Sequence, residues 1–237
     1  MKTVDVSLSR ALSKLGYCSR SRSAFYIKNG KVTVNGKTAT DPSLMVDIES
    51  DSIKVQETRL ARPKTMVVML HKPTGYITTS SDELSRKTVY ELVPGDLHLF
   101  AIGRLDMETS GLLLFTNDGS IQDRITSPER KVSKTYLATV SGKITMDKLE
   151  KFHKGIDIGT GMIVKVDECR IISTGISTTS IELRIHEGKN RQVRRMFEAI
   201  GKKVTRLHRS AIGGLELDVP EGTWRKLSDN EIEMIFR

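Results

Sequence analysis

The stretch from Gly103 to Gly119, GRLDMETSGLLLFTNDG, combines charged side chains with a short apolar run. The side chains that could do chemistry come first: Arg104, Asp106, Glu108 and Thr109. The apolar run Leu112–Phe115 follows, and a run this short between glycines predicts a fully buried strand. Because reactive side chains are commonly carried by loops on a rigid scaffold, this stretch is the first candidate for an active site.

Three interpretations of the stretch compete. The oxygen-bearing residues and glycine from Asp106 to Gly111 resemble the start of a calcium loop. That interpretation fails because the twelfth position is Asn117, where a bidentate Glu is needed, and because the middle of the loop is apolar. The other two interpretations are a solvated charged turn and an active-site loop with Asp106 as its reactive carboxylate. Residue types alone leave these two open.

Composition indicates an anionic partner and no membrane span. The 237 residues carry a formal net charge of +9, and the sequence pI is about 9.5. No apolar stretch is long enough to cross a bilayer, and the first residues lack the apolar core of a secretory signal. The two cysteines, Cys18 and Cys169, are far apart and belong to no CxxC pair. We therefore expect reduced thiols and a cytoplasmic location.

The sequence lacks the motifs of nucleotide and metal sites. Neither GxGxxG nor GxxxxGK[ST] occurs, so no phosphate cradle is expected. His186-Glu187 is followed by Gly-Lys-Asn, so the second His of a zinc HExxH is missing. We expect no metal and no cofactor. A reaction run by one carboxylate and a cation fits this set of residues.

Residues 1–60 predict two helices followed by a small sheet. Helical spacing covers residues 7–15, and Ser19 is placed to cap a second helix that runs to Asn29. Alternating residues before Asn35-Gly36 predict a hairpin, and residues 52–55 predict a further strand.

The rest of the chain predicts strands mixed with helices. Strands are expected at residues 66–70, 112–115, 133–140, 169–173, 179–186, 203–209 and 223–227. Helices are expected at residues 88–93, 120–126, 146–153 and 190–201, and after a capping box at Ser228 and Glu231. In the helix capped by Asn190, the apolar stripe is Val193, Met196, Phe197 and Ile200. The arginines of this helix are expected outside that stripe.

Four motifs in chain order resemble those of bacterial ribosomal-RNA pseudouridine synthases of the RsuA type. They are HKPTG at residues 71–75, GRLD…TSGLLL…TNDG at 103–119, SKTY at 133–136 and EGKNRQVRRMF at 187–197. The first sixty residues resemble the S4 RNA-binding domain that precedes the catalytic domain in most members of that family. The resemblance implies an α+β protein whose second domain is a mixed, mainly antiparallel β structure with flanking helices. We expect an S4-like domain at 1–58, a linker at 59–64 and a catalytic domain at 65–237.

The resemblance also implies an activity, the isomerisation of one uridine in ribosomal RNA to pseudouridine. Asp106 would be the catalytic aspartate, and Arg194 would pair with it and keep it ionised. Tyr136 would stack on the target base, which has to leave its helix to be worked on. Attack on the sugar C1′ and removal of a C2′ proton both remain open for Asp106. The likeness favours large-subunit over small-subunit RNA.

Further residues would bind RNA by the same resemblance. Arg104 would fill the space left by the flipped uridine, and Leu105 and Val193 would line the base pocket. Lys72, Arg191 and Arg195 would contact the substrate. In the S4-like domain, the cations expected to contact phosphate are Arg10, Arg20, Arg22, Lys28, Lys31 and Lys37.

Two alternatives of other classes remain. The chain could be a non-catalytic S4-domain RNA-binding or ribosome-assembly factor, although Asp106, Tyr136 and Arg194 are all present. A basic DNA-binding regulator is disfavoured because no recognition helix with base-reading residues is evident. Under the favoured interpretation the partner is ribosomal RNA, free or in a particle, and the protein is a monomer.

Overall fold

A computed structural model describes residues 5–18, 20–61, 64–159 and 161–237. The chain divides into two compact units. One runs to Met66 and includes two short later segments, Asp96–Leu99 and Asn117–Gly119. The other contains the remaining residues from Val67 to Arg237. The expected α+β class is confirmed.

The N-terminal unit has two helices and a small antiparallel sheet, as predicted. Its elements are β1 (Val6–Ser7), α1 (Leu8–Lys14), α2 (Arg20–Lys28), β2 (Val32–Val34), β3 (Lys37–Ala39), β4 (Met45–Val46), β5 (Ile53–Val55) and β6 (Thr58–Arg59). The four-stranded sheet has the order β3-β2-β5-β6, and β1 pairs with β4. Asn35 and Gly36 both have positive φ, which gives the tight β2–β3 hairpin the sequence predicts.

A single apolar core joins the helices of this unit to its sheet. Leu8 and Leu12 from α1, Ile27 from α2 and Val32 from β2 are fully buried within it. The predicted helix cap Ser19 and linker residues 62 and 63 lie outside the described residues. Arg59, where the predicted linker starts, still belongs to strand β6.

The second unit is built on a nine-stranded sheet. From Val67 onward the elements are β7 (Val67–Lys72), β8 (Phe100–Ile102), β9 (Thr109–Thr116), α3 (Gly119–Thr126), β10 (Lys134–Ser141), α4 (Met146–Lys154), β11 (Ile156–Asp157), β12 (Ile163–Val164), β13 (Glu168–Thr174), β14 (Thr178–Ile185), α5 (Gln192–Ala199), β15 (Val204–Ile212), β16 (Leu215–Glu216), β17 (Trp224–Lys226) and α6 (Asp229–Met234). Short 3-10 turns occupy Val89–Glu91, Gly95–Leu97 and Pro128–Arg130.

The order of the large sheet is β13-β14-β10-β15-β9-β7-β17, with β16 beside β15 and β8 beside β9. Among the described strands of this sheet, β9 and β15 run parallel and the other neighbours are antiparallel. The short hairpin β11–β12 forms a separate pair. This is the mixed, mainly antiparallel sheet that the sequence predicts.

Strand β9 is buried on both of its faces. Residues Leu112–Phe115 are all 0% exposed, which explains their continuous apolar run. At the start of the strand, Gly111 has a φ of 112° and lies against β15. A Cβ atom at this position would lie 2.3 Å from the carbonyl oxygen of Arg209. Only glycine allows β15 to approach β9 this closely.

Helix α5 differs from the prediction at its start. Its N-cap position is Arg191, in the left-handed conformation, and no side chain caps the helix, so the predicted cap by Asn190 is wrong. The Gln192 side chain organises this turn instead: its oxygen accepts from the Lys189 amide at 2.9 Å, and its nitrogen donates to Glu187 at 3.1 Å. The capping box at Ser228 and Glu231 is confirmed at the start of α6.

Candidate active site

The loop that carries Asp106 joins β8 to β9 and is held in place by Lys72, at the end of β7. The ammonium of Lys72 donates to three main-chain carbonyls, those of Pro73 at 3.0 Å, Asp106 at 3.1 Å and Thr109 at 2.8 Å. All three donors of the lysine are thereby used. The HKPTG stretch therefore shapes the loop through its lysine.

Residues that follow β7 hold the same loop at two further points. The hydroxyl of Thr78 donates to the carbonyl of Leu105 at 2.8 Å and accepts from its amide at 3.2 Å. The amide of Gly75 donates to the carbonyl of Met107 at 2.8 Å. With both neighbours of Asp106 fixed through their main chain, its carboxylate is presented on a preorganised loop.

The expected contact of Lys72 with RNA does not fit its position. The side chain is 0% exposed, and its ammonium is enclosed by loop carbonyls. Burial lowers the pKa of Lys72 to about 8, although the charge of Asp106 opposes that change. Lysine suits this buried position because its long aliphatic stem ends in three donors. The residue type alone did not indicate that Lys72 would be buried.

A cleft of about 290 Å³ opens beside the loop. Its lining includes six of the predicted catalytic or substrate-binding residues: Arg104, Leu105, Asp106, Tyr136, Arg191 and Val193. Four elements supply them, namely the β8–β9 loop, strand β10, the turn before α5 and α5 itself. The cleft thus brings together residues that are nearly ninety positions apart in the chain.

Asp106 and Tyr136 occupy different environments within the cleft. Asp106 is partly buried, and no ion pair to its carboxylate occurs among the described residues. Tyr136 is 8% exposed and shares the buried face of β10 with Ala138, as predicted. Leu105 and Val193 are also buried, so apolar side chains form part of the cleft lining beside the carboxylate.

Arg194 lies close to the loop but does not pair with Asp106 in this structure. Its guanidinium donates to the carbonyl of Val204 at 3.1 Å and to the carbonyl of Glu108 at 3.0 Å. Its Nε atom lies 3.8 Å from the Glu108 carboxylate. The residue is 5% exposed, so the expectation that it lies outside the buried face of α5 is wrong. Burial lowers the pKa of Arg194, and Glu108 opposes that change.

The other two arginines of this region have distinct surroundings. Arg191 lines the cleft and reaches the Glu108 carboxylate at 3.5 Å. Arg195 lies outside the described lining of the cleft and points to the carbonyls of Asn190 at 3.5 Å and Gly159 at 3.4 Å. Glu108 therefore links the loop to the start of α5 through two arginines.

The predicted phosphate-binding cations of the N-terminal unit are exposed where their side chains are described: Arg10, Arg22, Lys28, Lys31 and Lys37. The side chain of Arg20 lies outside the described residues. Phe25 is 64% exposed on the same helix as Arg22. This unit therefore exposes cations, which suit phosphate, and an aromatic ring, on which a base can stack.

Sequence reasoning missed two residues around the cleft. Thr78 clamps the loop, and Arg209 lies buried beside Tyr136. Neither belongs to a quoted motif, because each acts through a contact across the sheet or between loops. A glycine inside the buried strand, Gly111, was the available sequence signal that another backbone lies close.

The described part of the chain holds no group of three or more His, Cys, Asp or Glu side chains arranged to bind a metal. Within the same residues, no helix combines the length and the apolar character that a bilayer crossing requires.

Comparisons with known proteins define the class. Residues 66–199 match the family model for RNA pseudouridylate synthase, and residues 7–53 match the S4 domain. The chain is 37% identical over 232 residues to ribosomal large subunit pseudouridine synthase B of Bacillus subtilis, covering 96% of this chain and 94% of the relative. It is 35% identical to an uncharacterized RNA pseudouridine synthase of Aquifex aeolicus, covering 99% and 95%.

A crystal structure of a pseudouridylate synthase superposes on this chain with a TM-score of 0.70 at 30% identity, covering 97% of this chain and 99% of the other. The two family matches follow one another along the chain, the S4 domain first and the synthase domain second. This protein belongs to the RNA pseudouridylate synthase family and carries an S4 domain at its N-terminus.

Proposed function

We propose that this protein converts one uridine of ribosomal RNA, most readily large-subunit RNA, to pseudouridine. The observation that carries the proposal is the cleft in which Asp106, Tyr136 and Arg104 meet. The ribosomal substrate is supported by the name of the Bacillus subtilis relative, and the S4 domain with its exposed cations supports RNA binding.

The reaction needs no group donor. The bond between C1′ and N1 of the uridine breaks, the uracil rotates, and a bond forms between C1′ and C5. C5 then loses its proton and N1 gains one, so the product is an isomer of the uridine. We assign the first step to the Asp106 carboxylate, acting either at C1′ or on the C2′ proton. Tyr136 stacks on the base, and Leu105 and Val193 enclose it. The cleft's mixture of apolar walls and one carboxylate suits a neutral base and a developing charge.

The uridine reaches the cleft by leaving its helix, which costs a few kcal/mol. Stacking against an aromatic ring returns about 1–3 kcal/mol. Arg104 is exposed at the cleft and occupies the vacated position in the RNA. Arg191 and the accessible cations of residues 184–209 hold the phosphates; the buried Arg194 and Arg209 take no part.

We extend the proposal to the domain organisation and setting. The S4 domain covers residues 1–58 and the catalytic domain covers 65–237; residues 59–64 join them, although Arg59 is still part of β6. The protein works as a cytoplasmic monomer, and its partner is ribosomal RNA, free or within a particle. The reaction uses no cofactor.

The test maps pseudouridine at single-nucleotide resolution in both ribosomal RNAs. The strains are a deletion, the deletion carrying the wild-type gene, and deletions carrying Asp106→Asn or Asp147→Asn. Asp147 is an exposed residue of α4 and serves as the matched control. We expect one uridine to lose its mark and to regain it with wild type and Asp147→Asn, but not with Asp106→Asn.

Other outcomes separate the parts of the proposal. No change at any uridine would reject the activity on ribosomal RNA and favour a binding or assembly factor. Restoration of the mark by Asp106→Asn would keep the function and reject the assigned aspartate. A lost mark in the small-subunit RNA would reject the preference for the large subunit.

A further inference from the structure

Arg209 is a buried arginine at the back of the cleft. On β15 it stands opposite Tyr136 of β10 on one side and opposite Gly111 of β9 on the other. The side chain is 3% exposed. Its Nε atom donates to the carbonyl of Leu112 at 2.7 Å, and its Nη1 atom lies 3.5 Å from the Tyr136 hydroxyl. Arg209 therefore joins the strand of the catalytic loop to the strand of the cleft tyrosine.

The charge of Arg209 has no carboxylate partner among the described residues. Its Nη2 atom is buried without a hydrogen-bond partner. Two further cations, Lys72 and Lys134, are close enough that Arg209 contributes to the lowering of their pKa values to about 8, after the larger effect of burial. An isolated buried charge is costly, and replacing it with an apolar group is often neutral or stabilising. Stability alone therefore gives no reason for an arginine here.

The contact with Tyr136 has a direction. A guanidinium has donors only, so the Tyr136 oxygen accepts from Arg209. The hydroxyl hydrogen then points away from Arg209, and Tyr136 lines the cleft. The contact thus fixes the position of the phenol oxygen and the direction of its hydroxyl hydrogen.

We propose that Arg209 is a positioning residue of the isomerisation, which holds the hydroxyl of Tyr136 and so fixes the ring of Tyr136 against the flipped base. This inference rests on the proposed function and adds a residue to it. The guanidinium also places a positive charge behind the phenol oxygen, where it stabilises negative charge that develops on the departing uracil. Arg209 touches neither RNA nor the reacting atoms, so it acts through Tyr136.

The test is a double-mutant cycle of Arg209→Met and Tyr136→Phe, measured by single-turnover pseudouridine formation in a transcribed ribosomal RNA fragment. We expect Arg209→Met to lower the rate about 10- to 100-fold, with KM changed less than about threefold. In the Tyr136→Phe background, the same substitution should change the rate less than about threefold, because the hydroxyl it positions is gone.

Two further variants separate positioning from folding. Arg209→Lys retains the charge and loses the planar set of donors of the guanidinium. We expect this variant to fold and to lose about tenfold in rate, again only when the Tyr136 hydroxyl is present. Arg225→Met removes an arginine that is paired with Asp218 and Glu231. That control should lower the melting temperature and leave the rate unchanged, whereas Arg209→Met should lower the rate whether or not the melting temperature changes.

Failure of the proposed function can be distinguished from failure of the positioning role of Arg209. If the wild type forms no pseudouridine in any ribosomal RNA, the proposed function is wrong and the role of Arg209 falls with it. If the wild type is active but the losses of Arg209→Met and Tyr136→Phe are additive, only the positioning role is wrong. A lower melting temperature with an unchanged rate in either Arg209 variant would also reject it, since Arg209 would then be purely structural.

Discussion

Replacing Lys72 with methionine tests whether one buried ammonium shapes the catalytic loop. The substitution keeps the length and apolar stem of the side chain but removes the donors to the carbonyls of Pro73, Asp106 and Thr109. The Asp106 carbonyl keeps the amide of Thr109 at 3.0 Å, so about two buried carbonyls lose a donor. Each costs about 1–3 kcal/mol when left unpaired.

Removing the charge returns part of that cost. A lysine pKa lowered from 10.5 to about 8 corresponds to about 3 kcal/mol against the buried charge. The lost hydrogen bonds cost about 2–6 kcal/mol in total and about 3 kcal/mol is returned, so we expect Lys72→Met to lower the free energy of unfolding by only about 1 kcal/mol. Activity should fall much further, because a displacement of the Asp106 loop by about 1 Å costs about 100-fold in rate.

Stability would be measured by urea unfolding, and activity by single-turnover release of tritium from C5-labelled uridine in a ribosomal RNA fragment. Lys134→Met is the matched control, since Lys134 is also a largely buried lysine, bonded to the carbonyls of Val132 and His186 and not to the loop. We expect the control to lose stability and to keep activity within about fivefold. Equal activity losses in the two variants, or activity of Lys72→Met within about twofold of wild type, would refute the reasoning.

Three further predictions follow from the same structure. Gly111→Ala should lower the free energy of unfolding by at least about 3 kcal/mol in urea titrations, because its Cβ would meet the backbone of Arg209; a loss under about 1 kcal/mol would contradict the close approach. The stability advantage of wild type over Lys72→Met should grow by up to about 3 kcal/mol between pH 8 and pH 10.5, where the folded protein has released a proton that the unfolded chain still binds; a constant advantage would argue against the lowered pKa. Replacing Lys31 and Lys37 together with alanine should reduce the slope of log K against log salt for RNA binding by about two, and an unchanged slope would show that neither contacts phosphate.

Most elements could be predicted from local sequence because periodicity and turn residues decide them. The apolar run of β9, the hairpin at Asn35-Gly36 and the capping box at Ser228 each specify their structure within a few residues. The start of α5 could not be predicted in the same way, since two neighbouring side chains compete for the turn. Asn190 has the right type for a cap, but the Gln192 amide reaches the turn from inside the helix.

Six residues of the cleft lining could be predicted from the motifs, but the contacts of the cations could not. Asp106 and Tyr136 line one cleft, as the motifs imply, but the partners of the cations depend on how distant strands meet. Lys72 looks like a surface cation in sequence and is enclosed, while Arg194 turns to carbonyls and to Glu108. Whether a cation is buried is set by tertiary packing, which residue type alone does not determine.

The pairing of β9 has a consequence for when the active site exists. This strand is bordered by β7, β8 and β15, and Ser110 of β9 contacts His208 of β15, 98 positions later in the chain. Contacts so distant in sequence form late, after the chain between them has been ordered. During synthesis, the Asp106 loop therefore lacks one of its flanking strands until β15 has emerged, long after the S4 domain is complete. Under the proposed function, a nascent chain can therefore bind RNA through its S4 domain before the strand beside the Asp106 loop has been made.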